Sequence, residues 1–390
     1  MRPFFSNEPR ACFPGVHNSR FNGWHSGAGR LKEDARVDLN PIPLIPPVKR
    51  IFDRIRCARE LARVRPPVQP VGRVAISMRP IFASWGGGNQ WLLQMTRHLG
   101  YSGYSVRFDL REEVDAIFIN HSGLNDDMTF GVDEIAAFKR RYPRVRVIHR
   151  VNDNDIRKET DRMDTLLARF NAVADYTVFI SDWLRDYHAA RWFDPARPHC
   201  TILNGADPSV FHPVGSRDWP GTAGTPLRLV THHWSANPKK GFPQYAELDA
   251  RIAGGELPGV ELWVIGRWPS DLKWKAARTF PPDHGAGLAG LLRQCHGYIT
   301  ASLHEPGGMH FIEGLQCGLP LLYHLDGGGI VELGEKFGVG FRDDLLGGVR
   351  QWKEAYTGLR QRVLNDPPSG ARMCTDYREV LQREIVNARK

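Results

Sequence analysis

The chain has little of what would make it secreted, metal-bound or membrane-spanning. Six cysteines in 390 residues, Cys12, Cys57, Cys200, Cys295, Cys317 and Cys374, stand far apart without a Cys-x-x-Cys pair. That spacing excludes a zinc ribbon or a disulfide framework and reads as small buried thiols in a reducing compartment. No apolar run approaches the roughly 18 residues that cross a bilayer. The opening MRPFFSNEPRACFPG puts proline and charge where a secretory signal needs an unbroken apolar stretch. Gly-x-Ser-x-Gly, a Walker loop and metal-spaced histidines are all missing. Asp153-Asn154-Asp155 has the Asp-x-Asp pattern of a metal grip but reads as a cap at a helix entry. The expectation is a cytoplasmic protein that uses no metal and no cofactor.

What is present is an ordinary globular composition, 42% hydrophobic and 24% charged, long enough for two domains at roughly 150 residues each. The net charge of +9 is unevenly spread: residues 1 to 70 carry 13 basic and 6 acidic side chains. With the body close to neutral, nucleic acid is not the expected partner. The excess sits in a Pro/Arg-rich leader, 1–70, read as mobile. Within it, residues 49–65 place Ile51, Ile55, Ala58 and Ala62 at helical spacing beside seven basic side chains. Such a basic amphipathic helix suits peripheral contact with an anionic membrane.

From residue 73 short apolar or β-branched runs alternate with amphipathic stretches, the pattern of α/β units on parallel sheets. RVAISM, YSVRFDL, DAIFIN, VRVIHRV, YTVFIS and CTILN read as strands of an N-terminal domain, 71–210. A Pro/Gly-rich linker, 211–226, precedes a second series, LRLVTHHW, VELWVIG, GYITAS and LPLLYHL, in a C-terminal domain, 227–365. A helical tail, 366–390, follows. The reading is α/β: two Rossmann-like doubly wound domains facing across a cleft, with ligands at the carboxyl ends of the strands.

Chemistry concentrates in Ser302-Leu303-His304-Glu305-Pro306-Gly307-Gly308-Met309, which leads from a strand into a helix, and in Asp326-Gly327-Gly328-Gly329-Ile330-Val331-Glu332. Glycines allow close backbone approach, and a helix start near Met309 offers free N–H groups and a positive dipole end, an anion cradle suited to a diphosphate. Glu305 in the loop and Glu313 one turn into the helix reach the same crevice at different depths. Carboxylates there do not bind phosphate; they accept hydrogen bonds from sugar hydroxyls. Glycines 86 to 88, between a strand and a helix, also read as backbone brought near a ligand.

The Glu-x7-Glu spacing of Glu305 and Glu313, the Glu-Pro-Gly start, Glu-x-x-x-Cys-Gly-x-Pro and Gly-Gly-Gly-Ile-Val-Glu together resemble the donor-site signature of glycosyltransferase family 4, a retaining GT-B group. Lys240-Gly241, Trp85-Gly86-Gly87-Gly88-Asn89 and Asn204-Gly205-Ala206-Asp207 resemble further family elements, over residues 73 to about 365. The resemblance implies a metal-independent, retaining hexosyltransferase of polysaccharide biosynthesis. It would move sugar from a nucleotide-diphosphate donor to a saccharide or lipid-linked acceptor. It also implies that Glu305 contacts the transferred sugar, that Glu313 holds the ribose, and that Gly307, Gly308 and Met309 offer N–H groups to the diphosphate. Lys240 would neutralise the leaving group, and Gly86 and Gly87 would approach the donor. His149 is a catalytic candidate, and Asn152 and His121 are acceptor-side candidates. Trp234 stands where the family usually has an arginine, and Arg267 is the expected substitute. A GT-B nucleotide-sugar epimerase and a non-catalytic carbohydrate- or nucleotide-binding protein are the alternatives.

Overall fold

The computed structural model describes residues 68–81, 86–120, 128–222 and 224–390. The leader helix expected over 49–65, His121 and Trp85 lie outside them. The first sheet is built from β1 (Gly72–Ile76), α1 (Gly87–Tyr101), β2 (Tyr104–Arg107), β3 (Ala116–Ile119), α2 (Val132–Arg141), β4 (Arg146–Val151), α3 (Asp155–Lys158), α4 (Met163–Asn171), β5 (Tyr176–Phe179), α5 (Asp182–Ala189) and β6 (His199–Thr201). Its six strands are parallel in the order β2-β1-β3-β4-β5-β6. The second comprises β7 (Leu227–His233), a 3-10 turn (Pro238–Lys240), α6 (Phe242–Ala253), β8 (Val260–Gly266), β9 (Arg278–Phe280), α7 (Gly285–Leu292), β10 (Gly297–Thr300), α8 (Met309–Gln316), β11 (Leu321–His324), α9 (Ile330–Phe337) and β12 (Gly338–Phe341). These strands are also parallel, in the order β12-β11-β10-β7-β8-β9. Two long helices follow, α10 (Leu345–Asn365) and α11 (Gly370–Arg389).

Both faces of each sheet are covered, which is why central strands such as AIFI and YTVF are apolar throughout rather than alternating. Around β4 the two faces diverge. Ile148 packs with Trp91 of α1, whereas Val147 packs with Ile135 and Phe138 of α2. All the described residues belong to a single compact unit, Leu44–Lys390. Among them no helix is long and apolar enough to cross a membrane.

Two features depart from the sequence reading. RKETDRMDTLLARFNAVA is not continuous: α3 ends where Glu159 turns left-handed at φ 55°, and α4 starts afresh. The stretch 366–390 is no separate tail, because Met373, Tyr377, Val380, Leu381 and Ile385 of α11 lie in the core of the first sheet with Val74, Trp91 and Ile148. The chain crosses back where Gly370 N donates to Ala206 O at 2.7 Å. Here Gly205 is required by space, since a Cβ would run into the backbone of Ser369. Gly205→Ala is expected to cost about 1–3 kcal/mol of stability through overpacking, measurable by denaturant unfolding with an unchanged m-value.

Candidate active site

A cleft of about 380 Å³ lies between the sheets and is lined by residues from both, within the size range of small-molecule sites. Its walls are carboxyl ends of strands and the loops that follow. Gly86 to Asn89 come after β1, Asn152 to Lys158 after β4 and Asn204 after β6. From the second sheet come His232 to Lys240, Arg267 after β8 and Glu305 to His310 after β10.

At its centre Glu305 is clasped from both sides. Lys240 Nζ approaches its Oε2 at 2.5 Å and Arg157 Nε its Oε1 at 3.1 Å. Arg157 also reaches Asp153 Oδ1 at 3.3 Å, and Lys158 reaches Asp153 Oδ2 at 3.2 Å. Burial alone would raise the Glu305 carboxyl, but the charges of Arg157 and Lys240 outweigh it and hold the group well below the usual carboxylate range. Burial lowers the Lys240 ammonium, an effect opposed by the facing Glu305. Burial would likewise lower Arg157, but Glu305 and Asp153 keep it raised above its ordinary value. Because Glu305 is depressed in the fold, its pairing stabilises the protein above its ordinary value of 4.5 and is lost as pH falls through the lower folded value. The melting-temperature gap between wild type and Glu305→Gln is therefore expected to hold from about pH 5 to 8 and to narrow below about pH 4.

The loop carrying Glu305 is gripped at successive residues by the first domain. Asn154 Nδ2 donates to His304 O at 3.2 Å, Ser181 Oγ to Pro306 O at 2.5 Å and Asn204 Nδ2 to Gly307 O at 2.6 Å. The glycine run holds it from behind: Glu305 N donates to Gly327 O, and Gly329 N to Glu305 O at 2.9 Å. Gly329 must lack a side chain, because a Cβ would strike Pro306 O and Ser181. His304 sits at φ 51°, a left-handed conformation that costs a non-glycine residue about 1 kcal/mol. The loop ends at Gly308, where α8 begins with no side-chain cap. Gly307 to His310 at this helix start line the cleft, and α1 likewise starts at Gly86 without a side-chain cap. The two helix starts approach each other, with Gly87 packed against Met309.

Among the residues singled out from sequence, Glu305, Lys240, Gly307, Gly308, Met309, Arg267, Gly86, Gly87 and Asn152 line this cleft. Asn152 donates to Asn120 O at 3.1 Å, and Arg267 Nη1 to Trp234 O at 3.0 Å. Two do not reach it. His149 is fully buried on the other face of β4, against Phe170 and within 3.2 Å of Asn171, and burial lowers its pKa to about 3. The alternation of the strand sends Arg150, not His149, to the cleft side. Glu313 is 3% exposed and 2.9 Å from His232 Nε2; it is the histidine that lines the cleft, with the carboxylate against it. Arg157, Lys158 and Arg150 were missed. The signal for the first two was Arg157-Lys158 in the short helix capped by Asn154 just after β4, where Asn154 Oδ1 accepts from Arg157 N at 2.7 Å.

Solved structures share this architecture. Anabaena HepE in complex with UDP and glucose aligns at a TM-score of 0.59 and 13% identity over 80% of this chain and 100% of its own. Sucrose-phosphate synthase from Thermosynechococcus elongatus aligns at 0.54 and 15%, over 81% and 99%. WaaG, a glycosyltransferase involved in lipopolysaccharide biosynthesis, aligns at 0.54 and 12%, over 79% and 99%. The fold is GT-B. No protein-family model and no curated protein sequence matches the chain. In this chain the cleft lies at the carboxyl ends of strands from both sheets, and α11 returns to the core of the first.

Proposed function

We propose that this chain is a retaining glycosyltransferase of the family 4 type that moves a sugar from a nucleotide-diphosphate donor to a saccharide or lipid-linked acceptor. The observation that carries the reading is Glu305 clasped by Lys240 and Arg157 beside the uncapped start of α8. A carboxylate held between two cations is a stand-in for a diphosphate. When the donor enters, its phosphoryl oxygens take over Lys240 and Arg157 together with the N–H groups of Gly308 and Met309. Glu305 is then released to accept from a hydroxyl of the sugar. Arg157 occupies the role that sequence reasoning gave to Arg267, and it comes from the opposite domain. Arg267, tied to the backbone of Trp234, lies further along the same wall.

In the reaction the bond between the anomeric carbon and the diphosphate oxygen breaks, and the acceptor oxygen bonds that carbon from the same face. The acceptor proton passes to the departing diphosphate, with no covalent enzyme intermediate. Lys240 and Arg157 stabilise the charge that develops on the leaving group, so no metal is required. Closure of the domains on the His304–Gly307 loop excludes water. The Anabaena HepE structures in complex with UDP and with UDP-glucose make UDP the first nucleotide to try. Residues 49–65 would hold this otherwise cytoplasmic enzyme at an anionic membrane where a lipid-linked acceptor resides.

The test is nucleotide release from a panel of nucleotide sugars, with and without EDTA. Release from at least one donor, unchanged by the chelator, is expected. Silence across the panel, together with calorimetry showing no binding of UDP or GDP, rejects the reading.

A further inference from the structure

The charges in the cleft do not balance. Among the described residues, Arg150, Arg157, Lys158, Lys240 and Arg267 line it, against the carboxylates Asp153 and Glu305. Both carboxylates are engaged by Arg157, Lys158 and Lys240. The two remaining arginines lie on opposite walls, Arg267 on the second domain and Arg150 on the first.

Arg150 is the more telling of the two. It is 1% exposed, and no carboxylate among the described residues pairs with it. Its Nη1 donates to Asn120 Oδ1 at 3.1 Å and its Nη2 to Asn204 Oδ1 at 2.8 Å, and its remaining polar neighbour is the phenol of Tyr377 in α11, which is neutral and brings no counter-charge. The guanidinium carbon lies 5.1 Å from the centre of the Trp91 ring. Burying a cation without a counter-ion costs several kcal/mol, and arginine does not escape by losing its proton. Bracing two amide oxygens needs no charge; a neutral amide would do it. The described surroundings add no acid: the Asn120 and Asn152 side-chain amides there already donate to Gly88 O and Asn120 O. The first turn of α1 has no acidic residue and no side-chain cap, and Gly88 beside it faces the amide groups of Asn120 and Asn152.

We propose that Arg150 is the counter-charge for a phosphate ester on the acceptor, so that the substrate class on the first-domain side is a phosphorylated rather than a neutral saccharide. A donor diphosphate brings one charge on each phosphorus, met by Lys240 and Arg157. Arg150, one domain wall away, is left for an anion that the donor does not supply. The word acceptor rests on the glycosyltransferase reading; the anion site does not.

The test titrates the full UDP-saturated chain with inorganic phosphate by calorimetry, in wild type, Arg150→Gln and Arg150→Lys. Phosphate is expected to bind alongside UDP. Arg150→Gln is expected to lower phosphate affinity at least about ten-fold more than UDP affinity, the size of a lost charged hydrogen bond, and Arg150→Lys to recover part of it. Phosphate binding that vanishes when UDP is bound assigns Arg150 to the donor and overturns the proposal. Equal phosphate affinity in wild type and Arg150→Gln overturns it too. If UDP does not bind at all, the glycosyltransferase reading fails instead, and the same comparison without UDP still decides the anion site. Should Arg150→Gln not fold, wild type alone decides, by comparing glucose, glucose 6-phosphate and glucose linked to a short prenyl phosphate. A phosphorylated ligand at least about ten-fold tighter than glucose supports the site, and which one wins separates a soluble from a lipid-linked source. Equal affinity for all three rejects it.

Discussion

Glu305→Gln is expected to lower sugar transfer by about 100- to 1000-fold, the scale of losing one preorganised electrostatic contact at a reacting centre, while UDP affinity holds or rises. The substitution keeps the shape and removes the charge. Lys240 and Arg157 then face each other across a neutral amide, and the empty protein loses stability, by about 3 kcal/mol if the variant behaves as other broken buried pairs do. UDP restores the missing negative charge, so thermal unfolding with and without UDP should show a larger ligand-induced shift in the variant than in wild type. A carboxylate that only decorated the surface would give neither the loss of transfer nor the enlarged shift. Wild-type turnover in Glu305→Gln would remove it from the reaction.

Lys240→Met is expected to reduce turnover by about 100-fold or more and, unlike Glu305→Gln, to weaken UDP binding as well. The methionine fills the volume without the ammonium that the proposed mechanism sets against the leaving diphosphate. Its stability effect is coupled to that of Glu305, because the two groups contact each other at 2.5 Å. In the double variant Lys240→Met with Glu305→Gln, the stability losses should fall short of the sum of the singles by about 1–3 kcal/mol. Strict additivity, or full turnover in Lys240→Met, would place the lysine outside the site.

The parts of this architecture legible in the sequence are those coded by short-range pattern. The central strands are uniformly apolar, and the loop around Glu305 carries its glycines where the backbone of Gly327 to Gly329 must touch it. Edge strands escaped notice because RTF and GVGF have neither length nor a β-branched run. The side on which a residue falls was not legible either. His149 and Arg150 are neighbours in β4, and only the packing of α1 and α2 on opposite faces decides which one reaches the cleft. Glu313 has the spacing of a ribose ligand, yet its neighbour His232 comes from a strand 81 residues away in the chain. Arg157 pairs with Glu305 across the two domains, a meeting that no spacing within one segment encodes.

The grip on the His304–Gly307 loop bears on modularity. Two-domain proteins with a cleft invite the exchange of halves, one to choose the donor and the other the acceptor. Here Asn154, Arg157, Ser181 and Asn204 of the first half hold four consecutive residues of the second. If the cleft takes the proposed donor, its choice is thus written partly in the amino-terminal half, and a chimaera would keep the shape of the His304–Gly307 loop only if those four side chains travelled with it.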